Sequence, residues 1–385
     1  MVMTPSLPHL FFRFLRLGLT AFGGPAMVPY IRTMAVEREQ WLSEKSFRLG
    51  MSVAQVIPGA TAMQMAAYVG LRSRGGPGAL AAYTAFGLPA FMLMLVLTMV
   101  YSSSRDLPLV MAAFSGLQLV VVAMILHAAI NFSRLYLDSL PSKLLACMAG
   151  IWLGLKGNPI LALLVVCGLA LFIIKEDSPQ ISQSEAPRQE GRPLFSAAVF
   201  LALFLLFLGI LHLTTPLGSA LALLMTKVDC FAFGGGYVSI PIMLHEVVEV
   251  HGWLTGPEFM DGIALGQVTP GPIVMTGAFV GYLVAGVFGA TLATIAVFTP
   301  SLIFICAATP FADKLSSSSL ALRALKGSLI SLVGLMAAVA ARFGMAVDWS
   351  PAHLTVALGA FIALRLGIDL LWVVVVGAVL SACIL

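Results

Sequence analysis

Gln55-Val56-Ile57-Pro58-Gly59 and Gln267-Val268-Thr269-Pro270-Gly271 each set a carboxamide three residues ahead of a Pro-Gly pair inside an apolar stretch. Proline breaks the helix before it and suits the first turn of the helix after it. A helix beginning at such a break aims free N–H groups and the positive end of its dipole into the protein, which favours an anion. The amides of Gln55 and Gln267 could donate to an anion's oxygens or cap the carbonyls freed by the break, and both readings stay open. The bland alternative is a packing kink, which is weaker for a matched pair with matched glutamines. Phe22-Gly23-Gly24-Pro25 and Phe233-Gly234-Gly235-Gly236 form a second pair, permitting close approach of a ligand or of another helix. The candidate substrate-binding residues are therefore Gly23, Gly24, Gln55, Pro58, Gly59, Gln64, Gly234, Gly235, Gln267, Pro270 and Gly271. Gln64 has no glutamine counterpart, since Thr276 stands opposite it.

Two charges join these candidates. Arg38, in Val36-Glu37-Arg38-Glu39-Gln40-Trp41-Leu42, could recruit a dianion or simply orient the chain in a bilayer. Asp229, in Lys227-Val228-Asp229-Cys230, is an acid at the end of an apolar segment. Intramembrane acids are costly and usually functional, so Asp229 is a candidate for proton coupling, with pairing to Lys227 as the structural reading. His127 and His212 read as packing or interface residues, and the glycine pairs Gly150/Gly154 and Gly277/Gly281 as close-packing faces.

The elements that hold these residues occur twice. Phe22 to Pro89 and Phe233 to Pro300 share Phe-Gly-Gly, Trp-Leu (Trp41-Leu42, Trp253-Leu254), Gln-x-x-Pro-Gly, Gly-x-x-Gly-Ala (from Gly75 and Gly286) and the final proline, at offsets of 211 or 212. This is a duplication. The expected organisation is residues 1–174 as the first repeat, 175–193 as a polar linker, 194–213 as an extra apolar segment and 214–385 as the second repeat. If each repeat crosses a membrane an even number of times, the extra crossing inserts the second copy upside down. Charge agrees: Arg32, Arg38, Lys45, Arg48, Arg72 and Arg74 lie in the first copy, whereas Val228 to Asp313 holds no Lys or Arg and carries Glu246, Glu249, Glu258 and Asp261. Lys/Arg-rich loops stay cytoplasmic. Basic residues flank the segment 50–70 on both sides, which fits a re-entrant element.

Composition names the environment. Of 385 residues, 60% are hydrophobic and 10% charged, against roughly 25% charged in soluble chains; mean hydropathy is +1.01. The apolar runs are continuous, so helices rather than a β-barrel are expected. The first apolar stretch carries Arg13 and Arg16, unlike a cleavable signal peptide. Five cysteines lie singly in apolar segments, which supports neither a disulfide framework nor a metal site. The net charge of +4 is spread out and gives no basis for nucleic-acid binding. No GxSxG, HExxH or P-loop is present, so a membrane hydrolase or ATP-driven pump lacks support.

The paired motifs, with Glu37-Arg38 to Trp41-Leu42, Gln64 and Gln267-x-x-Pro270-Gly271-Pro272, resemble those of the chromate ion transporter family in its long two-domain form. The resemblance spans essentially the whole chain. It implies export of chromate with resistance to it, and sulfate as a related anion. Two departures stand out: Pro58-Gly59-Ala60 where the family commonly has Pro-Gly-Pro, and Met27 with no histidine near by where one often follows the first Phe-Gly-Gly-Pro.

The expectation is an all-α polytopic membrane protein of two inverted repeats with broken or re-entrant helices and about 10–13 transmembrane segments. It is a multi-pass protein of the cytoplasmic membrane, with no catalytic residue, metal or cofactor. It acts as a secondary transporter of a tetrahedral oxyanion, and the sequence leaves room for a homodimer. Outward movement of a dianion down an inside-negative potential gains roughly 4–5 kcal/mol per 100 mV, from about 2.3 per charge. The alternatives are a sulfate or other oxyanion transporter and a proton-coupled cation antiporter.

Overall fold

A computed structural model describes residues 4–20, 27–174 and 193–384. Gly23, Gly24 and nearly all of the expected linker lie outside the described residues. Among those described, every regular element is helical. Five segments are long and apolar enough to cross a membrane: Thr61–Ser104, Pro108–Tyr136, Pro193–Thr214, Ile273–Leu315 and Ser319–Ala346. The other apolar segments of the sequence are shorter helices that fold in pairs.

The first pair is α1 (Leu7–Thr20) with α2 (Met27–Arg32), which runs on into a π-helical turn, Thr33–Arg38. They lie antiparallel, because Glu39 beyond the turn reaches back to His9 at 2.9 Å and Arg13 at 2.6 Å in α1. The second pair is α3 (Glu44–Val56) with the first arm of α4 (Thr61–Ser104). Ser43 caps α3 by accepting from the Ser46 N–H. The tip of this hairpin is Ile57 to Ala60, and its arms meet where Tyr68 donates its hydroxyl to the Ser46 carbonyl at 3.0 Å. Both hairpins therefore enter and leave by one face.

α4 then turns back on itself. Arg74 (φ −145°, ψ 20°) and Gly75 (φ 66°, ψ −154°) break the helix, and the backbones of Gly70 and Gly78 come into contact. In an unbroken helix these residues would stand about 12 Å apart. The second arm, 76–104, crosses to the opposite face, and α5 (Pro108–Tyr136) returns. Two 15-residue helices, α6 (Leu140–Gly154) and α7 (Pro159–Ile173), complete the repeat. Their caps are explicit in sequence: Ser139 with Ser142 in a reciprocal box, and Asn158 on the N–H groups of Ile160 and Leu161.

After α8 (Pro193–Thr214) the same order recurs. α9 (Pro216–Cys230) pairs with α10 (Ser239–Met243) and a π-helical turn, Leu244–Val250; α11 (Gly256–Val268), capped by Thr255 and Glu258, pairs with the first arm of α12 (Thr276–Ala308). α12 breaks at Ala285 (φ −148°, ψ 32°) and Gly286 (φ 61°, ψ −151°), and Gly281 packs on Gly289, repeating the first copy angle for angle. A short α13 (Ala312–Ser317) leads to α14 (Ser319–Ala346), α15 (Pro351–Arg365) and α16 (Leu370–Ile384).

The repeats are inverted. The second arm of α4 starts beside Pro5, whose carbonyl accepts from Arg74, and ends where Arg105 pairs with Glu258 at the outer end of α11. The open ends of the two sets of hairpins thus lie at opposite ends of one crossing helix, and an added crossing, α8, separates the copies. The copies also interlock: α6 and α7 pack on α14, while α15 and α16 pack on α5. Small residues make this possible, as where Gly334 meets the backbone of Ala146 and Gly150. Lipid tails are as apolar as leucine, so such close backbone approach and dispersion contacts, not solvent exclusion, hold helices together here.

Candidate functional site

The hairpin tips among the described residues meet between the repeats. Gly59, at φ 125°, donates its N–H to the Ala232 carbonyl at 3.0 Å, joining the first Pro-Gly tip to the second Phe-Gly-Gly tip. Gly271, at φ 144°, lies against Ala90. Only glycine takes these backbone angles at little cost, and a Cβ at either position would run into Ser301 or Ala90 respectively.

Around this junction the freed groups are partly capped. Gln64 is fully buried and donates its Nε2 to the Pro58 carbonyl at 2.5 Å, so it, not Gln55, caps the first break. Its Oε1 has no partner among the described residues. Asp229 is fully buried, and its carboxylate accepts from the Ser301 N–H at 2.7 Å and the Ser301 hydroxyl at 2.6 and 2.7 Å. Lys227 pairs instead with Glu246 at 2.7 Å. Asp229 therefore fixes Ser301, the residue that abuts Gly59.

A cavity of about 720 Å³ opens from the first-repeat hairpin face down to this junction. Its floor is Ala60, Thr61 and Ala62 at the start of α4, Gly234 to Gly236, and Pro272 with Ile273. Its walls are Met51 and Gln55 of α3, the end of α5 at Phe132 to Tyr136, and the α14 face of Leu322, Leu325, Lys326 and Leu329. α4 begins at Ala60 with no side-chain cap, so its first N–H groups point at the floor. The start of α12 beyond Pro272 likewise lacks a side-chain cap. Lys326 is the one charged lining residue among those described, and its Nζ lies 2.9 Å from Asp138 Oδ2. That ammonium holds the Asp138 carboxyl below the usual carboxylate range.

The position related to this cavity by the repeat is much narrower. The α5 residues Met111, Phe114, Ser115 and Gln118, equivalent to Leu322, Leu325, Lys326 and Leu329, line only about 180 Å³ with Tyr101, Arg105 and Asp261. Asp261 accepts from Tyr101 at 2.9 Å and from Gln118 at 2.8 Å, and Arg105 pairs with Glu258 at 3.0 Å. Arg342 and His245 both engage Glu249 on the same side. α11 packs extensively on α5 here, whereas its counterpart α3 touches α14 only sparsely beside the large cavity.

The candidates are thus only partly gathered. Gln55, Gly234 and Gly235 line the cavity; Pro58, Gly59, Pro270 and Gly271 build the tips beneath it. Gln267, the counterpart of Gln55, does not line it, but its Nε2 is buried with no hydrogen-bond partner among the described residues. Arg38 is exposed at the outer end of the first hairpin, away from the cavity. Sequence reasoning did not single out Lys326, Ser301, Tyr101 or Gln118. A lysine inside the apolar run 324–342 was a readable signal, since such charges are rare in membrane segments.

The sequence pattern of the Chromate transporter family matches residues 8–172 and 219–382. An uncharacterized transporter of Methanocaldococcus jannaschii is 41% identical over 382 residues, 99% of this chain and 95% of that protein. A probable chromate transport protein of Synechococcus elongatus is 32% identical, across 80% of this chain and 77% of its own length. The chromate transport protein of Cupriavidus metallidurans is 29% identical, across 81% and 76%. No solved structure matches the chain.

Proposed function

The chain belongs to the chromate transporter family, and from that membership we propose a secondary transporter that exports chromate across the cytoplasmic membrane and so confers resistance. The observation that carries this reading is the inequality of two repeat-related cavities, about 720 Å³ reaching the tips on one side and about 180 Å³ on the other. Inverted repeats whose broken helices meet between them are the frame on which secondary transporters alternate access. The face of the larger cavity carries Arg32, Arg38, Lys45, Arg48, Arg72 and Arg74, whereas the opposite face carries Glu246, Glu249 and Glu258 with fewer cations, among them Arg105 and Arg342. By the bias of basic loops the face of the larger cavity is cytoplasmic, which supports a reading in which the anion enters from inside.

In this reading the dianion descends past Gln55 to the floor. There the uncapped N–H groups at the start of α4 and the glycine backbone at Gly234 to Gly236 replace part of its hydration. A helix N-terminus stabilises an anion by about 0.3–1 kcal/mol at an exposed site and up to ~2 kcal/mol when partly buried. Gln267 does not line this cavity; its Nε2, without a partner among the described residues, is the donor offered to the anion when the second-repeat side opens. Asp229 holds Ser301 against Gly59 and is the candidate for coupling export to a proton; Arg38 adds to the positive field at the entrance. Release then requires the Tyr101–Asp261–Gln118 and Arg105–Glu258 contacts to part while α3 closes on α14.

Membrane vesicles turned inside out from cells expressing the chain test the direction. They should take up chromate faster than vesicles lacking it, and Gly271→Leu should abolish the difference. Uptake only into right-side-out vesicles would reverse the assigned direction. Sulfate shares the charge and shape of chromate, and the same site accommodates it as a competitor.

A further inference from the structure

We propose that Lys326 is the cationic ligand of the transported oxyanion, handed to it from an ion pair with Asp138. The proposal deepens the site described above and rests on that reading.

A tetrahedral dianion entering an apolar-walled cavity sheds water and needs positive charge in return. The helix starts at the floor offer only about half an elementary charge each. Lys326 supplies the full charge that the described lining otherwise lacks. It stands on α14 between Leu322 and Leu329, on the wall between entrance and floor. Its side chain is 18% exposed, and its ammonium is held 2.9 Å from a carboxylate that is itself 57% exposed. An exposed carboxylate is a weak competitor, because water can take its place on either partner. An ammonium with three rotatable donors on a flexible stem can turn from Asp138 to a tetrahedral oxyanion without moving the helix.

The repeat sharpens the argument. Ser115 occupies the equivalent position of the smaller cavity, whose charged lining is Arg105 and Asp261. The larger cavity thus has a lysine as its one charged lining residue among those described, while its counterpart holds both Arg105 and Asp261, with Arg105 paired to Glu258. The cation of the smaller cavity is engaged by a carboxylate and offset by a second acid, so the net positive charge met by an anion differs between the two sides. The competing explanation is a lysine that merely reaches to the membrane surface along an apolar wall.

The test uses the purified full chain, with chromate and sulfate binding by calorimetry and flux in liposomes. Lys326→Met should raise the half-saturating concentration of both anions at least tenfold with little change in thermal unfolding. Lys326→Arg should restore it to within a few-fold. Asp138→Asn should lower it, because the charge of one competitor for the ammonium is gone. The assignment is overturned if Lys326→Met binds and carries anions as the wild type does. It is equally overturned if Asp138→Asn loses activity to the same extent as Lys326→Met, which marks a structural pair. If Gly271→Leu stops flux and Lys326→Met does not, the site stands and Lys326 leaves it. If the wild type binds neither anion, both readings fall.

Discussion

The backbone N–H of Gly59 donates to the carbonyl oxygen of Ala232 at 3.0 Å, so the Pro-Gly tip of one repeat is bonded to the Phe-Gly-Gly tip of the other. One hydrogen bond between residues 173 positions apart in the chain places both kinds of break at a single junction. The floor of the open cavity is built on that junction.

Substitution at the tips tests the junction itself. Gly59→Val and Gly271→Leu force a β-carbon into the left-handed region and against Ser301 or Ala90. Each should cost on the order of 1–3 kcal/mol of backbone strain and cut chromate flux at least tenfold. Flux assays beside thermal unfolding of the same samples check both. Wild-type flux from Gly271→Leu would remove the tips from the site.

Gln267 separates binding from stability. Its Nε2 is buried without a partner among the described residues, and removing an unsatisfied buried donor is close to neutral or stabilising. Gln267→Ala should therefore leave the unfolding temperature unchanged or raised, while the half-saturating chromate concentration rises at least several-fold. A fall in stability with unchanged flux would make Gln267 a structural residue.

Asp229 acts through Ser301, so the two substitutions should agree. Asp229→Asn keeps the shape of the side chain but weakens its hold on the Ser301 N–H and hydroxyl. Ser301→Ala should reproduce its loss of flux if positioning is the role. If only Asp229→Asn abolishes the dependence of flux on an imposed pH gradient, proton coupling is the role. Dissimilar losses with no change in that dependence would exclude both.

The closed face should open when its contacts are cut. Tyr101→Phe removes a hydrogen bond to Asp261, worth about 1 kcal/mol or more, roughly a fivefold shift in population. A cysteine at Gln118 should then react several-fold faster with a membrane-impermeant thiol reagent than in the parent. A cysteine at Gln55 should react from the opposite, basic face and be shielded by chromate. Labelling of both from one face would contradict inverted access.

Much of this architecture was legible in the chain. The offset between the two copies of Phe-Gly-Gly and Gln-x-x-Pro-Gly marked the duplication, and a lone extra apolar segment together with charge asymmetry marked the inversion. The basic residues flanking 50–70 pointed to re-entry, and the structure shows why: Tyr68 folds back on Ser46. What the sequence did not reveal depends on contacts between repeats. Gln55 and Gln267 are equivalent by spacing, yet only one faces the larger cavity, because the two cavities differ in size and lining at equivalent positions. The role of Gln64 as the cap on Pro58 follows from a fold-back of six residues around Gly59, which no periodicity encodes. Lys326 and Asp138 lie 188 residues apart and meet only when α6 and α7 of the first repeat pack on α14 of the second.

The most direct measurement is flux of labelled chromate into liposomes holding the purified chain, under an imposed potential, with excess unlabelled sulfate as competitor. The account predicts flux toward the positive side that follows the potential and that sulfate blocks in part. Flux of neither anion above that of empty liposomes would contradict it.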